Sequence, residues 1–357
     1  MKKTFLFSKH IELNAKMVNF SDWEMPIQYT SIIEEHIHVR EKVGIFDVCH
    51  MGEFILEGIN VIQDLEKLMT CNIKNLEIGK CRYGLLLNLN GTIIDDLIVF
   101  RLEKNKFMLV VNAATTNKDK DWIKKNISNN TTFIDKSCDI AKLDIQGPLS
   151  NNILSNFIDK NVLETIKRFS FISIKLNDID VLLSRTGYTG ELGYELFVDK
   201  KDVIELWDIF LNFKQIKPIG LGARDILRLE MGYSLYGNDI NETYTPVQAN
   251  LLKFVNMDKD FIGKQALLEQ NNVNEILTGF ICTSRRSARK GFKVFDKNKT
   301  KDIGIVTSGS FSPKLKKGIG LCYIEKEYLQ KDEKVIMSND VVNIEANIKS
   351  LPIYNKE

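Results

Sequence analysis

At 357 residues the chain has room for two or three domains, each with a core of its own. Hydrophobic residues at 44 % and charged residues at 27 % exclude disordered, collagen-like and coiled-coil chains. With 49 Lys and Arg against 47 Asp and Glu the net charge is +2, so there is no overall basic field for nucleic acid or a membrane surface, and neither is expected as a partner.

The opening Met1–His10 is basic but lacks an apolar core of secretory length, and no run of 18 apolar residues occurs. The six cysteines stand singly, without a Cys-x-x-Cys pair, and the four histidines lie near none of them in ligand spacing. A reducing, cytoplasmic location with free buried thiols and no structural metal is the expectation.

In chain order, the first strong local signal is Tyr83–Phe100. Asn90-Gly91 between two apolar runs predicts a type I′ hairpin, which needs positive φ at both residues. The second strand carries Asp95 and Asp96 in a row of Ile, Leu, Val and Phe. Asp95 shares a face with Ile93, Leu97 and Val99, and Asp96 with Ile94, Ile98 and Phe100, so at least one carboxylate is pressed toward apolar surface. Such an acid either serves chemistry or is paired at a sheet edge, and spacing does not choose between the two positions.

Val181–Thr186 and Tyr194–Val198 read as strands around the glycine-rich Gly187-Tyr188-Thr-Gly190-Glu-Leu-Gly193. No helix opens after those glycines, so this is not a dinucleotide fingerprint. The stripe Val203, Leu206, Trp207, Phe210, Leu211 predicts a core-facing helix over Asp202–Phe213. If Leu221–Glu230 is helical, Arg224 and Arg228 share a face, either to hold a planar carboxylate or amide ligand or to bridge Glu195 and Glu230.

The polar stretch 269–274 suits a linker. Beyond it, Leu277–Cys282, Ile303–Thr307, Ile319–Ile324, Lys334–Met337 and Val341–Ile348 read as short strands of a small β-barrel or sandwich. The expected division is a mixed body over 1–273 and a β domain over 274–357. Arg285–Lys290 and Lys314–Lys317 are basic runs that either lie solvated or dock an acidic partner.

The ordered set Asp22-Trp23-Glu-Met25-Pro26, Val43–Gly52, Gly91–Leu97, Val111-Asn112-Ala113, Gln146-Gly147-Pro148, Arg185–Glu191, Leu221–Asp225, Leu235–Asp239, Phe261–Lys264 and Val306–Pro313 resembles the aminomethyltransferase family, the T-protein of the glycine cleavage system, essentially end to end. The resemblance implies an α+β, three-lobed body of two lobes plus a C-terminal barrel, with tetrahydrofolate in a central channel as co-substrate and no flavin or metal. It implies transfer of the methylene of an aminomethyl group from the lipoyl arm of H-protein to tetrahydrofolate, giving 5,10-methylenetetrahydrofolate and ammonia. It places the catalytic role on Asp96 and folate contacts on Tyr83, Asn112, Tyr188, Glu195, Arg224, Tyr233 and Tyr354. Demethylases and a folate-binding iron–sulfur assembly factor are similar in fold. The assembly factor's cysteine is missing from Arg185–Glu191 and a fused demethylase would need a flavin domain, which leaves a standalone demethylase of a small methylated donor as the open alternative. The chain departs from the family at Asp22, Thr92 and Asn250, where glycine is usual, and at Cys49, Gln248 and Lys253, where serine, glutamate and tryptophan are usual.

Overall fold

A computed structural model describes residues 1–270, 273–330 and 333–355. Asn271 and Asn272, in the polar stretch read as a linker, lie outside the described residues. By their internal contacts the residues group as two units, 1–84 with 96–224, and 85–95 with 225–357. The elements Cys81–Leu87, Ile93–Glu103 and Leu221–Glu230 each contribute residues to both.

The first unit is organised by two larger sheets and one small one. The six-stranded sheet runs Phe171–Leu176, Ile179–Ser184, Gly193–Asp199, Ile140–Gln146, Val43–Asp47, Ile216–Pro218, antiparallel throughout except for the last pair. Its apolar face buries Ile45, Leu143, Ile145, Leu183 and Leu196 against the helix Val203–Leu211, whose Val203, Leu206, Trp207 and Phe210 supply the predicted stripe. The five-stranded sheet runs Cys81–Leu87, Ile93–Glu103, Lys106–Val111, Gly52–Gly58, Thr131–Asp135.

A hydrogen-bonded knot ties the N-terminal segment to the sheet. His10 Nε2 lies 2.8 Å from Asp47 Oδ2, Thr4 Oγ1 donates to the same oxygen at 2.6 Å, and the Cys49 N–H donates to Oδ1 at 2.9 Å. Burial pushes the Asp47 carboxyl up, but His10, Thr4 and Cys49 outweigh it and bring it down to about 2. A carboxyl held below its unfolded value stabilises the fold above its ordinary titration range and loses that contribution as pH falls through its folded value. About 2 kcal/mol should therefore disappear between roughly pH 4 and pH 2. Urea unfolding over that range should show Asp47→Asn with a correspondingly shallower acid dependence than the wild type; parallel curves would contradict this.

In the second unit, Glu275–Cys282, Lys317–Glu325, Asp302–Ser312, Lys293–Asp296, Lys334–Ser338 and Asn343–Lys349 close into a barrel in that order. Closure removes the unpaired edges that a sandwich would leave. Phe280, Val306, Cys322, Met337 and Ile348 fill the interior.

The hairpin after Leu87 differs from the type I′ expectation. Gly91 has φ 76°, but Asn90 is not in the left-handed region. The Gly91 N–H donates to Asn88 O and the Asn88 N–H to Thr92 O, so a three-residue loop closes on a left-handed glycine. Asn88 Oδ1 takes up the Asn90 N–H and so stabilises that alternative. Two of the departures from glycine also have a physical reason. Asp22 at φ 66° and Asn250 at φ 58° are left-handed, a conformation that Asp and Asn tolerate better than other side chains. The thiols are free as expected and five are buried, but Cys138 is exposed.

Candidate functional site

The strands Ile93–Glu103 and Lys106–Val111 pair with Ile98 opposite Val110, and continuing that register brings Asn112 opposite Asp96. Asn112 Nδ2 donates to Asp96 Oδ1 at 2.9 Å and to the Asp96 carbonyl at 3.0 Å. Tyr83, on Cys81–Leu87, donates its hydroxyl to Asp96 Oδ2 at 3.0 Å. Each carboxylate oxygen thus receives a neutral donor, which fixes the plane of the group. Asp96 is half-buried, whereas Asp95 is fully buried, so the strand's alternation separates an accessible acid from an enclosed one.

A second group of charges lines the six-stranded sheet. Asp144 stands directly opposite Glu195 in the antiparallel register, an arrangement that repels unless cations compensate. Arg224 Nη1 meets Asp144 Oδ2 at 2.7 Å, and Lys142 Nζ meets Glu195 Oε1 at 2.8 Å. Thr186 Oγ1 donates to Glu195 Oε2 at 2.5 Å. The Arg224 guanidinium also lies 5.0 Å from the Tyr188 ring centroid and 5.9 Å from that of Phe46. Burial and the Glu195 charge raise the Asp144 carboxyl, while for Glu195 burial is outweighed by Lys142, Thr186 and Arg224, which hold it below its ordinary value. Burial pushes Glu53 well above the carboxylate range and brings His50 down to about 4.

The glycine-rich segment positions Tyr188. A Cβ at Gly187 or Gly193 would collide with the Gln146 amide, which accepts from Thr189 Oγ1 at 2.9 Å and donates to the Thr186 carbonyl at 3.2 Å. Arg40 donates to the Thr189 carbonyl and to Glu191. The helix Leu221–Glu230 is aimed from its start, because buried Glu35 accepts the Gly220 N–H at 2.8 Å and the Tyr29 and Thr30 N–H groups.

Tyr83, Asp96 and Asn112 are thus brought into one hydrogen-bonded group, and Tyr188, Glu195 and Arg224 into a second group in which the Arg224 guanidinium faces the Tyr188 ring and its charge acts on Glu195, both within the first unit. Tyr233 and Tyr354 belong to the second unit. There the Tyr233 carbonyl accepts from Arg228 at 2.9 Å, and the Tyr354 N–H donates to the Glu230 carbonyl at 2.8 Å. Arg228 is 1 % exposed and bonded to Asp225, Asp239 and Ser308, so it is built into the structure. Lys142, Asp144 and Glu53 were not anticipated. The polar alternation Lys142, Asp144, Gln146 was the available sign, but their partners lie on distant strands.

The cations of the basic run Arg285–Lys290 are exposed, and three of them also make contacts with the protein. Arg285 stacks on Phe311, Arg289 donates to the Gly309 carbonyl, and Lys290 donates to Gly237 and Asn238. Among the described residues no group of three or more His, Cys, Asp and Glu side chains is placed to hold a metal ion, and no helix is long and apolar enough to cross a membrane.

A body of mixed helices and sheets with a closed six-stranded barrel is the architecture of the glycine cleavage T-protein class. Residues 6–259 match the GCVT N-terminal domain, and residues 277–355 match the glycine cleavage T-protein C-terminal barrel domain. The chain is 43 % identical over 341 residues to the aminomethyltransferase of Halothermothrix orenii, covering 94 % of this chain and 95 % of that one. It is 40 % identical over 359 residues to the aminomethyltransferase of Thermotoga maritima, covering 99 % and 98 %. The crystal structure of glycine cleavage system aminomethyltransferase T from Bartonella henselae superposes with a TM-score of 0.92 at 29 % identity, covering 99 % of this chain and 98 % of that one. This chain belongs to the aminomethyltransferase family and is a tetrahydrofolate-dependent transferase.

Proposed function

We propose that the chain takes the methylene of the aminomethyl group carried on the lipoyl arm of H-protein and passes it to tetrahydrofolate. The bonds from that carbon to sulfur and to the amino nitrogen break, and bonds to the two folate nitrogens form. Ammonia and 5,10-methylenetetrahydrofolate leave, with the dithiol left on H-protein. The observation that carries this reading is the Asp96 carboxylate, held by Tyr83 and Asn112 yet still half-exposed.

As the carbon–nitrogen bond opens, the methylene carbon gains iminium-like positive charge. A carboxylate fixed beforehand stabilises that charge without reorganising, and it also orients the folate amine. Glu195 accepts from the amino and ring N–H groups of the pterin, and Arg224 and Tyr188 line the same subsite. The body over 1–273 carries this chemistry, and the barrel domain over 274–357 contributes Lys316 and Lys317 to recruiting an acidic partner. The setting is cytoplasmic, and neither metal nor flavin takes part.

Purified chain, aminomethyl-loaded H-protein and tetrahydrofolate should release ammonia in step with 5,10-methylenetetrahydrofolate. Tetrahydrofolate alone should stabilise the fold by mass action, about 2.7 kcal/mol at a hundredfold excess over Kd. No ammonia from loaded H-protein, together with turnover of a methylated small amine, would replace this reading with that of a demethylase.

A further inference from the structure

Strand Ile140–Gln146 places Lys142, Asp144 and Gln146 on one face, and strand Gly193–Asp199 places Glu195 opposite Asp144 and Phe197 opposite Lys142. Lys142 therefore reaches diagonally across the ladder to Glu195, with its ammonium 5.5 Å from the Phe197 ring centroid and 3.5 Å from Met51 Sδ. It is 2 % exposed and Glu195 is 4 % exposed. A buried lysine is costly, and a pair of facing carboxylates is costly as well. The two costs offset each other only in this arrangement, with Arg224 taking Asp144 and Lys142 taking Glu195.

Every charged or titratable neighbour of Glu195 bears on its state. Lys142 and Asp144 face it from Ile140–Gln146 and Arg224 from Leu221–Glu230, while Glu53 acts from Gly52–Gly58 and Cys81 from Cys81–Leu87. The neutral donor is Thr186, itself bonded to Ser184. His50 lies within the field of Lys142 and Arg224. Asp144 Oδ1 and both Glu53 carboxyl oxygens are buried without a hydrogen-bond partner. Of the acids in the group, Glu195 alone has a protein donor on each oxygen, and one of those donors carries a charge.

We propose that Lys142 is a positioning residue for tetrahydrofolate: its buried ammonium pins the Glu195 carboxylate in one orientation, with its charge intact, to receive the pterin. This rests on Glu195 being the pterin acceptor, as set out above. Without Lys142 the desolvation of Glu195 is no longer offset, and its carboxyl takes up a proton at higher pH. A protonated Glu195 offers the pterin one acceptor fewer, so folate affinity becomes dependent on pH.

The test is the tetrahydrofolate Kd, measured anaerobically by calorimetry between about pH 6 and pH 8.5. Wild-type affinity should be nearly flat, whereas Lys142→Met should lose about tenfold or more in affinity on descending that range, a change equivalent to one pKa unit or more. A Lys142→Met profile parallel to the wild type, even if uniformly weaker, would reduce Lys142 to a packing role and overturn the inference. Glu195→Gln separates the two readings. If it leaves folate affinity intact, the acceptor role of Glu195 fails; if it abolishes affinity while Lys142→Met stays parallel, only the positioning role fails. Should Lys142→Met give no cooperative melt, wild type carrying carboxyl-labelled glutamate supplies a second measurement. Its Glu195 resonance, assigned by its loss in Glu195→Gln, should not titrate over that range, and a midpoint inside it would overturn the proposal.

Discussion

Asp96→Asn should lower turnover at saturating H-protein and folate by about 10²-fold or more, with the melting transition nearly unchanged. Tyr83 and Asn112 would still bracket the side chain, because an amide can keep one of the two acceptor positions. The loss is that of a negative charge already oriented at the reacting carbon, and it should fall on kcat more than on the folate Kd. Asp95→Asn is the informative contrast. Asp95 is fully enclosed, so its substitution should appear in stability and leave the kcat of the folded protein within a fewfold. Single-turnover formation of methylenetetrahydrofolate separates chemistry from release. Equal losses of kcat at the two positions, or a larger one at Asp95, would place the catalytic charge on the wrong acid.

The two aspartates also mark how far sequence reasoning reaches. Alternation along Ile93–Phe100 puts the acids on opposite faces, but which face is enclosed depends on what the sheet packs against, and no local pattern encodes that. The barrel was legible because runs such as Leu277–Cys282 and Ile319–Ile324 alternate cleanly between turn residues. Lys293–Asp296 escaped notice, because four residues with two charges carry too little periodicity to stand out as a strand. The Asn90-Gly91 pair announced a turn correctly but not its type, since the Asn88 side chain stabilises a three-residue loop instead. Least legible was the charged group around Glu195. Its members Glu53, Lys142, Asp144, Glu195 and Arg224 come from three separate strands, in two different sheets, and a helix far apart in the chain, and only the tertiary fold brings them together.

Arg228→Met should be the most destabilising of the substitutions considered. The guanidinium donates to Asp225 at 2.8 Å, to Asp239 Oδ2 at 2.5 Å, to the Tyr233 carbonyl at 2.9 Å and to Ser308 Oγ at 2.9 Å, all within the second unit. Asp239, itself fully buried, also accepts from Leu235 N–H and Thr307 Oγ1, and its carbonyl accepts from Tyr323. One arginine therefore joins the helix Leu221–Glu230, the segment from Tyr233 to Asp239 and the barrel strand Asp302–Ser312. Methionine fills much of the same volume but leaves the Asp239 charge uncompensated, a loss of about 3–5 kcal/mol for a broken buried pair. At roughly 2–4 °C per kcal/mol for a large domain, the melting midpoint of this unit should fall by on the order of 10 °C. Adding Asp239→Asn to the variant removes the stranded charge and should restore part of that loss, because residues in one network do not contribute additively. A midpoint within about 2 °C of the wild type for Arg228→Met, or a double variant that melts lower by the full sum of the two single effects, would show that the pair is not coupled and that the helix end is held by packing alone.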